Sequence, residues 1–116
     1  MKIKFQADAD LNQIILRALI RQEPAINFKT AMSANLAYRS DDEVLAVSSN
    51  EGRVLVSHDH KTLPQCFAAF IESAHSSGVI IIPQYLKVSA VVEDLLLIWS
   101  VTEAEEWINR ICFLPI

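Results

Sequence analysis

The chain of 116 residues is 52% hydrophobic and carries a formal net charge of −4 at pH 7, and its length is typical of one domain. This charge argues against a protein that coats DNA, and no stretch reaches the ~18 uninterrupted apolar residues that a membrane span requires. Two cysteines among apolar neighbours, and an N-terminus without the apolar run of a secretory signal, predict reduced thiols in a cytoplasmic protein. We therefore expect residues 1–116 to fold as a single domain without membrane contact.

Strand and helix patterns alternate from the start of the chain. Residues 3–7 form a short apolar strand pattern, and Asp10 is the predicted N-cap of the helix that follows. This helix has apolar residues at the i, i+3, i+4, i+7, i+8 spacing of one buried face, namely Leu11, Ile14, Ile15, Ala18 and Leu19. Residues 26–29 form a weaker second strand pattern, and residues 31–39 have no clear period, which indicates a loop.

The middle of the chain opens with a helix N-terminus. Ser40 and Glu43 have the spacing of a capping box, and Asp41 and Asp42 suit the positive end of a helix dipole. Gly52 ends this helix. The later predicted elements are strand 53–57, helix 63–75, strand 78–83, helix 88–99, a helix behind a second capping box at Thr102 and Glu105, and strand 112–114.

The order of the predicted elements is β-α-β-α-β-α-β-α-α-β. A strand that is apolar along its whole length, such as the one at residues 78–83, is typical of a sheet buried on both faces. The sequence therefore predicts an α/β fold in which a mainly parallel sheet lies between two layers of helices, as a three-layer α/β/α sandwich.

Several carboxylates fall at the predicted carboxyl ends of strands, where open parallel sheets bind their ligands. Asp8 follows the first strand and Asp59 the third, while Asp41 and Asp42 begin a helix at the same edge. Asp10 lies close to Asp8. Carboxylates without basic partners repel one another unless a cation holds them, and oxygen ligands suit Mg²⁺ or Mn²⁺. Helix capping is the competing interpretation for Asp10 and Asp42, whereas Asp59 has no predicted capping role.

Two histidines flank Asp59. His58 and His60 have the H-x-H spacing of a metal pair, but zinc needs three or four such ligands, and His75 is predicted on a helix that faces elsewhere. The favoured interpretation is that both histidines orient Asp59 and shape the turn. Pairing of His58 with Cys66 as base and nucleophile is a weaker alternative, because an apolar helix disfavours the thiolate.

Three stretches taken together resemble one protein family. FQADADL at 5–11, SDDEVLAVSSNEGRVLVSHD at 40–59, and the succession of SHDHKTLP and GVIIIP resemble the small stand-alone PIN-like domains, which are related to toxin-type PIN ribonucleases. The resemblance covers essentially the whole chain. It implies a PIN-like Rossmannoid fold, metal-dependent cleavage of RNA, and a toxin that pairs with a small antitoxin. Asp8, Asp41 and Asp59 match the acidic positions of the family.

The chain departs from the family pattern at two positions. Ala9 stands where many members have the second carboxylate of A-D-E-N-L, and Lys61 stands where D-x-D-F has its second aspartate. Lys61 either contacts a phosphate or neutralises Asp59. The predicted metal ligands are Asp8, Asp41, Asp59, Asp10 and Asp42, and the predicted RNA contacts are Arg39, Lys61, His58 and Lys29.

The main function that these features predict is that of a Mg²⁺- or Mn²⁺-dependent endoribonuclease, the toxin of a toxin–antitoxin pair. The departures leave open a binding module of the same fold without catalysis. A third alternative is a phosphatase in which Asp8 and Asp10 serve as nucleophile and acid. The apolar stripe around Trp99 and Trp107 exceeds what a thin outer layer buries, so we expect it to pack in a homodimer or against an antitoxin.

Overall fold

The computed structural model describes residues 1–116 as alternating strands and helices. The strands are β1 (Lys4–Ala7), β2 (Asn27–Lys29), β3 (Val54–Ser57), β4 (Val79–Ile81) and β5 (Ile111–Phe113). The helices are α1 (Gln13–Gln22), α2 (Asp41–Asn50), α3 (Leu63–Phe70) and α4 (Val88–Val101), and a single 3-10 turn at Ala104–Trp107 precedes β5.

The five strands form one sheet in the order β2-β1-β3-β4-β5, and every neighbouring pair is parallel. The central strand β3 is buried at all four of its positions, because both of its faces are covered by helices. Continuous apolar strands are the sequence pattern of such a sheet. The predicted α/β fold with a parallel sheet is therefore confirmed.

Helices cover the sheet on both faces, and each face has its own apolar core. On one face α1 and α4 pack together over residues such as Phe5, Val56 and Ile80. On the other face α2 and α3 pack over Leu55 and Ile81. Alternate residues of a strand point to opposite faces, so each strand supplies both cores. This arrangement is the predicted three-layer sandwich.

Most predicted elements are present, but several boundaries differ. Helix α1 has Asn12, not Asp10, as its N-cap, since the Asn12 side chain accepts a hydrogen bond from the N–H of Ile14. Helix α3 ends at Phe70, five residues before the predicted end. Strand β5 spans Ile111–Phe113, one residue earlier than predicted.

The predicted second capping box is wrong in its register. Thr102 is the C-cap of α4, and its hydroxyl donates to the carbonyl of Ile98 at 2.6 Å. The reciprocal capping contacts lie one residue later, between Glu103 and Glu106. They open only the 3-10 turn at Ala104–Trp107, where a full helix was expected.

Other sequence expectations are confirmed. Ser40 and Glu43 form the reciprocal capping box of α2, and Cys66 and Cys112 are both free thiols. No helix combines the length and the apolar character needed to cross a bilayer.

The strand order places a switch point between β1 and β3. From β1 the chain moves outward to β2, whereas from β3 it moves in the opposite direction through β4 to β5. In open α/β sheets of this order, the helices on either side of such a point leave a crevice at the carboxyl ends of the strands. The residues that follow β1 and β3 therefore lie at the edge where this fold binds ligands.

Candidate functional site

Four carboxylates surround the switch point, and we call Asp8, Asp10, Asp41 and Asp59 the acidic rim. Asp8 directly follows β1, and Asp59 lies two residues beyond β3. Asp41 is the first residue of α2, which the Ser40 capping box starts at this edge of the sheet. The sequence-predicted carboxylates are thus brought to one edge by three separate elements.

Ser57, the last residue of β3, joins the first two carboxylates of the rim. Its buried hydroxyl Oγ lies 2.8 Å from Asp8 Oδ2 and 3.3 Å from Asp10 Oδ1. The N–H of His58 also donates to Asp10 Oδ1, at 3.3 Å. Asp8 and Asp10 are therefore held as a pair on the end of β3.

Thr62, just before α3, joins the other two carboxylates. Its hydroxyl Oγ1 lies 2.9 Å from Asp41 Oδ2 and 2.5 Å from Asp59 Oδ2. The two pairs are linked through the backbone, because the N–H of Asp59 donates to Ser57 Oγ at 3.0 Å. The rim is consequently one connected polar network of four carboxylates and two hydroxyls.

The network has fewer hydroxyl hydrogens than carboxylate oxygens that could accept them. A hydroxyl has one hydrogen to donate, so Thr62 can donate to Asp41 or to Asp59 but not to both. Ser57 is in the same position between Asp8 and Asp10. None of the five ion pairs of the structure involves a rim carboxylate. An additional proton or a bound cation would relieve the oxygen–oxygen contacts that remain without a hydrogen.

Two of the rim carboxylates have pKa values shifted in opposite directions. Burial raises the pKa of Asp8, and the nearby charges of Asp10 and Asp41 add to this, against the opposing hydrogen bond from Ser57. Burial also acts to raise the pKa of Asp59, but hydrogen bonds from the Thr62 hydroxyl and from successive backbone N–H groups outweigh it and hold this pKa below its usual range. Asp59 therefore stays charged, while Asp8 retains its proton more readily.

The structure corrects the expectation that Asp59 has no capping role. Asp59 Oδ1 accepts hydrogen bonds from the N–H groups of Lys61 and Thr62, each at 2.9 Å. Thr62, the formal N-cap of α3, makes no capping hydrogen bond to the helix with its own side chain. Asp59 therefore satisfies backbone donors at the start of α3 as well as facing the rim.

The donor set fits a hard divalent cation through pairs of carboxylates. No three His, Cys, Asp or Glu side chains converge into a group that could hold a metal ion by themselves. The predicted cage of Asp8, Asp41 and Asp59 around one ion is thus not preformed. Mg²⁺ usually binds through one or two carboxylates and keeps several waters, and every rim donor is oxygen. Asp42 is exposed and makes no side-chain hydrogen bond, so it lies outside the network.

His58 is buried and already has partners for both ring nitrogens. Nε2 accepts from the N–H of Asn12 at 3.2 Å, so the hydrogen is on Nδ1, which donates to the carbonyl of Ile82 at 2.9 Å. His58 thereby ties the start of α1 to the end of β4 and positions the loop that carries Asp10. This geometry leaves no ring nitrogen for an RNA contact or for activation of Cys66.

The Cys66 thiol faces the rim from α3. Burial raises its pKa, and a hydrogen bond to Asp41 and the neighbouring negative charges raise it further. Both effects favour the protonated thiol over the thiolate. Cys66 therefore does not have the environment of a nucleophile.

The predicted cationic RNA contacts differ in their position relative to the rim. Arg39 lies beside the N-terminus of α2, where Nη1 pairs with Glu43 at 3.3 Å. Lys61 is exposed next to Asp59 and forms no ion pair. Lys29 instead pairs with Glu51 at 2.7 Å. Glu51 follows the last turn of α2, about 15 Å along the helix from its start, so Lys29 reaches away from the rim.

Three residues at the site were not singled out by sequence reasoning: Ser57, Thr62 and Asn12. The only sequence signal for Ser57 is a hydroxyl at the end of an otherwise apolar strand. Thr62 lies in the polar stretch SHDHKT, but its bridge to Asp41 spans 21 residues of chain. Contacts of that kind follow from the topology and not from local spacing.

Comparison with family models, with curated proteins and with solved structures finds no match for this chain. Its class is therefore defined by its own structure. It is a three-layer α/β protein whose parallel sheet carries a carboxylate-rich rim at the switch point between β1 and β3.

Proposed function

We propose that this protein is a Mg²⁺- or Mn²⁺-dependent endoribonuclease of the PIN-like type. The observation that carries the proposal is the acidic rim. Four carboxylates from three elements meet at the edge where α/β sheets bind ligands, without a basic partner and with too few hydroxyl hydrogens to bridge them. Hydrolysis of a phosphodiester by a cation held on carboxylates accounts for such a site.

In this proposal either of the two carboxylate pairs can bind the cation. Asp41 and Asp59 lie within reach of one hydroxyl, as do Asp8 and Asp10, so either pair offers oxygen ligands to one ion. When bound, the cation would supply a hydroxide nucleophile and stabilise charge on the phosphoryl group. Asp59 is the ligand best suited to stay ionised, because its hydrogen bonds lower its pKa.

Two exposed cations near the rim would meet the RNA backbone. Lys61 lies two residues after Asp59 and has no ion-pair partner, so its ammonium is free to bind a phosphate. Arg39 precedes α2 and is exposed, with Nη1 paired to Glu43 at 3.3 Å and Nε donating to the carbonyl of Asn35 at 3.1 Å. Lys29 is not included because it pairs with Glu51 away from the rim, and His58 is not included because both of its ring nitrogens have partners.

The proposal extends to the setting of the enzyme. We propose that it acts in the cytoplasm as the toxin of a toxin–antitoxin pair. Apolar side chains left exposed on and near α4, at Leu97, Val101 and Ile108, offer a surface for an antitoxin or for a second copy in a homodimer. Trp107 is buried and Trp99 lies half-buried beneath the ammonium of Lys2, so the tryptophans contribute less to this surface than the sequence suggested.

The test is cleavage of single-stranded RNA by the purified chain with Mg²⁺, with Mn²⁺ and with EDTA. We expect cleavage that EDTA abolishes and that Asp8→Asn or Asp41→Asn reduces by about 100-fold or more, in the range of losses for a group that stabilises transition-state charge. Glu93→Gln is the matched control, since Glu93 is an exposed acid of α4 without a side-chain hydrogen bond. Metal-independent cleavage, or equal loss in Glu93→Gln, would contradict the proposal.

A second candidate is a binding module of the same fold without catalysis. It is favoured by the absence of a preformed group of three ligands and by the ammonium of Lys61 beside Asp59. Lys61→Asp separates the two candidates. If the parent neither cleaves RNA nor binds a cation while Lys61→Asp gains both, the chain is a binding module. If the parent cleaves and Lys61→Asp lowers activity, Lys61 clamps a phosphate.

A further inference from the structure

An open pocket with aromatic walls lies next to the acidic rim. Its volume is about 520 Å³, within the size range of ligand pockets. We call it the aromatic pocket, and it is lined by His60, Ile81, Pro83, Gln84, Tyr85 and Phe113. Tyr85 is 73% exposed and Phe113 is 51% exposed, although both rings are large enough to be expected in a core.

The register of the sheet fixes the pocket close to the rim. Ser57 of β3, Ile81 of β4 and Phe113 of β5 are consecutive partners in one row across the sheet. Two strand spacings separate Ser57 from Phe113, which is about 10 Å. His60 brings the pocket nearer still, because it directly follows Asp59 in the chain. About three stacked nucleotides, at ~3.4 Å each, would span this distance.

The lining has the mixed chemistry that a nucleobase requires. The rings of Tyr85 and Phe113 do not stack on each other, since the one aromatic pair of the structure is elsewhere. Because Tyr85 is 73% exposed and Phe113 is 51% exposed, ring surface of both is available to an inserted planar group. The amide of Gln84 and the imidazole of His60 supply hydrogen-bonding groups at the margin, which suit the polar edges of a base. Lys61 directly follows His60 in the chain and forms no ion pair, so its ammonium is available to complement a phosphate beside the pocket.

We propose that the aromatic pocket binds a base of single-stranded RNA whose backbone crosses the acidic rim, an inference that rests on the proposed function. The base lies against the rings of both Tyr85 and Phe113, and the neighbouring phosphate lies near Lys61. A paired base cannot enter, because its faces are already covered by the bases above and below. The pocket thus selects unpaired RNA and sets which phosphodiester reaches the carboxylates.

The test measures binding of a single-stranded RNA of about ten nucleotides by fluorescence anisotropy, with cleavage followed in parallel on gels. The variants are Tyr85→Leu and Phe113→Leu, which keep apolar volume but remove the ring. We expect each to weaken binding by about tenfold or more, since base stacking on an aromatic side chain contributes on this scale. A duplex of the same sequence should bind more weakly than the single strand. Tyr38→Leu removes an exposed ring outside the pocket and should leave binding unchanged.

The outcomes separate this inference from the proposed function. If the parent cleaves RNA and both ring variants bind and cleave as the parent does, the pocket is not a base site although the nuclease stands. If the parent binds single strands through the rings but never cleaves, the base site stands and the nuclease does not. If the parent neither binds nor cleaves RNA, both are overturned. If the parent is a dimer that the ring variants dissociate without loss of RNA affinity, the rings form a subunit interface and the inference is overturned.

Discussion

At the scale of single residues, Asp8 and Asp59 belong to the same acidic rim but have different local environments. Asp8 is buried beside other acids, and this raises its pKa. Asp59 receives hydrogen bonds from Thr62 and from the backbone at the start of α3, which lower its pKa in spite of burial. The repulsion between carboxylates that the sequence predicts therefore acts on Asp8, so removing the charge should stabilise the fold at Asp8 and not at Asp59.

The two Asp→Asn changes should therefore alter stability in opposite directions. A raised folded-state pKa means that Asp8 destabilises the fold once pH rises through that pKa, so Asp8→Asn should raise the unfolding midpoint at pH 7 by about 2–4 °C. A lowered pKa means that ionised Asp59 stabilises the fold above its unfolded-state pKa, so Asp59→Asn should lower the midpoint. Thermal unfolding in EDTA from pH 3 to pH 8 measures both.

Both differences from the parent should shrink toward pH 3, because the parent carboxyl groups are then increasingly protonated. The contribution of Asp59 is lost as pH falls through its lowered folded-state pKa, whereas the penalty from Asp8 declines as pH falls from its raised folded-state pKa toward its unfolded-state pKa. Midpoints that shift in the same direction for both variants at pH 7 would contradict the assignment of the two environments.

Local sequence spacing could place Asp10 near the first helix but could not decide its role. Asp10 and Asn12 are both good N-caps by type. The choice is made by His58, whose Nε2 accepts the N–H of Asn12 across 46 residues of chain and fixes the turn before α1. Asp10 is then free to face Ser57. The residue that sequence reasoning treated mainly as a cap is therefore part of the rim.

At the scale of elements, helix α2 shows how a capping box positions a candidate site residue. Ser40 Oγ accepts from the N–H of Glu43, and Glu43 Oε1 accepts from the N–H of Ser40. These contacts fix the first turn of α2 and with it Asp41, which faces Thr62. The capping box was readable from the sequence, and it is the reason why Asp41 could be predicted at this edge.

Ser40→Ala should cost about 1 kcal/mol of unfolding free energy, the usual effect of losing an N-cap side chain. The first turn that carries Asp41 becomes less ordered, so affinity for a divalent cation at the rim should fall as well. Urea denaturation measures the first effect. Ser100→Ala is the control, because Ser100 lies exposed within α4 and its hydroxyl bonds only within the helix. An equal loss of unfolding free energy in Ser40→Ala and Ser100→Ala would contradict a specific role for the Ser40 cap.

The start of β4 depends on a glycine. Gly78 has φ +112°, and a Cβ there would lie 2.7 Å from the carbonyl oxygen of Trp107. Trp107 is buried over this point, and its turn leads into β5. The close approach joins the starts of β4 and β5, at the end of the sheet opposite the aromatic pocket.

Gly78→Ala should therefore destabilise the protein by about 3 kcal/mol or more, since both the backbone conformation and the space are lost. Gly52→Ala is the matched control. Gly52 also has a positive φ, +67°, but a Cβ there would meet nothing within 4 Å. It should cost about 1–2 kcal/mol from backbone conformation alone. Denaturant unfolding of both variants checks this, and a smaller loss in Gly78→Ala than in Gly52→Ala would contradict it.

Elements were predictable where the hydrophobic pattern agrees with the capping and turn residues at its ends. They were less predictable near residues 102–111. Strand β3 and helix α2 follow from their apolar patterns and from the capping box. In the region after α4, Thr102 has the type and spacing of an N-cap, but its hydroxyl instead bonds back to Ile98 and receives Trp107 Nε1 at 3.0 Å. This hydrogen bond joins residues five positions apart and stabilises the turn after α4, and the capping-box spacing does not predict it.

At the scale of the whole molecule, the alternating pattern was sufficient for the fold class but not for the strand order. Two layers of helices around apolar strands follow from the requirement to bury both faces of a parallel sheet. The order β2-β1-β3-β4-β5 depends on which strand joins each edge. That order creates the switch point, and therefore only the structure shows that Asp8 and Ser57 meet there.

The central claim is that the acidic rim holds a divalent cation, and the most direct test is the effect of Mg²⁺ and Mn²⁺ on thermal unfolding of the parent. A cation that binds only the folded state raises the midpoint as its concentration increases. We predict a saturable rise of about 3 °C or more for the parent, and no rise for a variant that combines Asp8→Asn with Asp41→Asn. A parent whose midpoint does not respond to either ion, or a double variant that responds as the parent does, would contradict the claim.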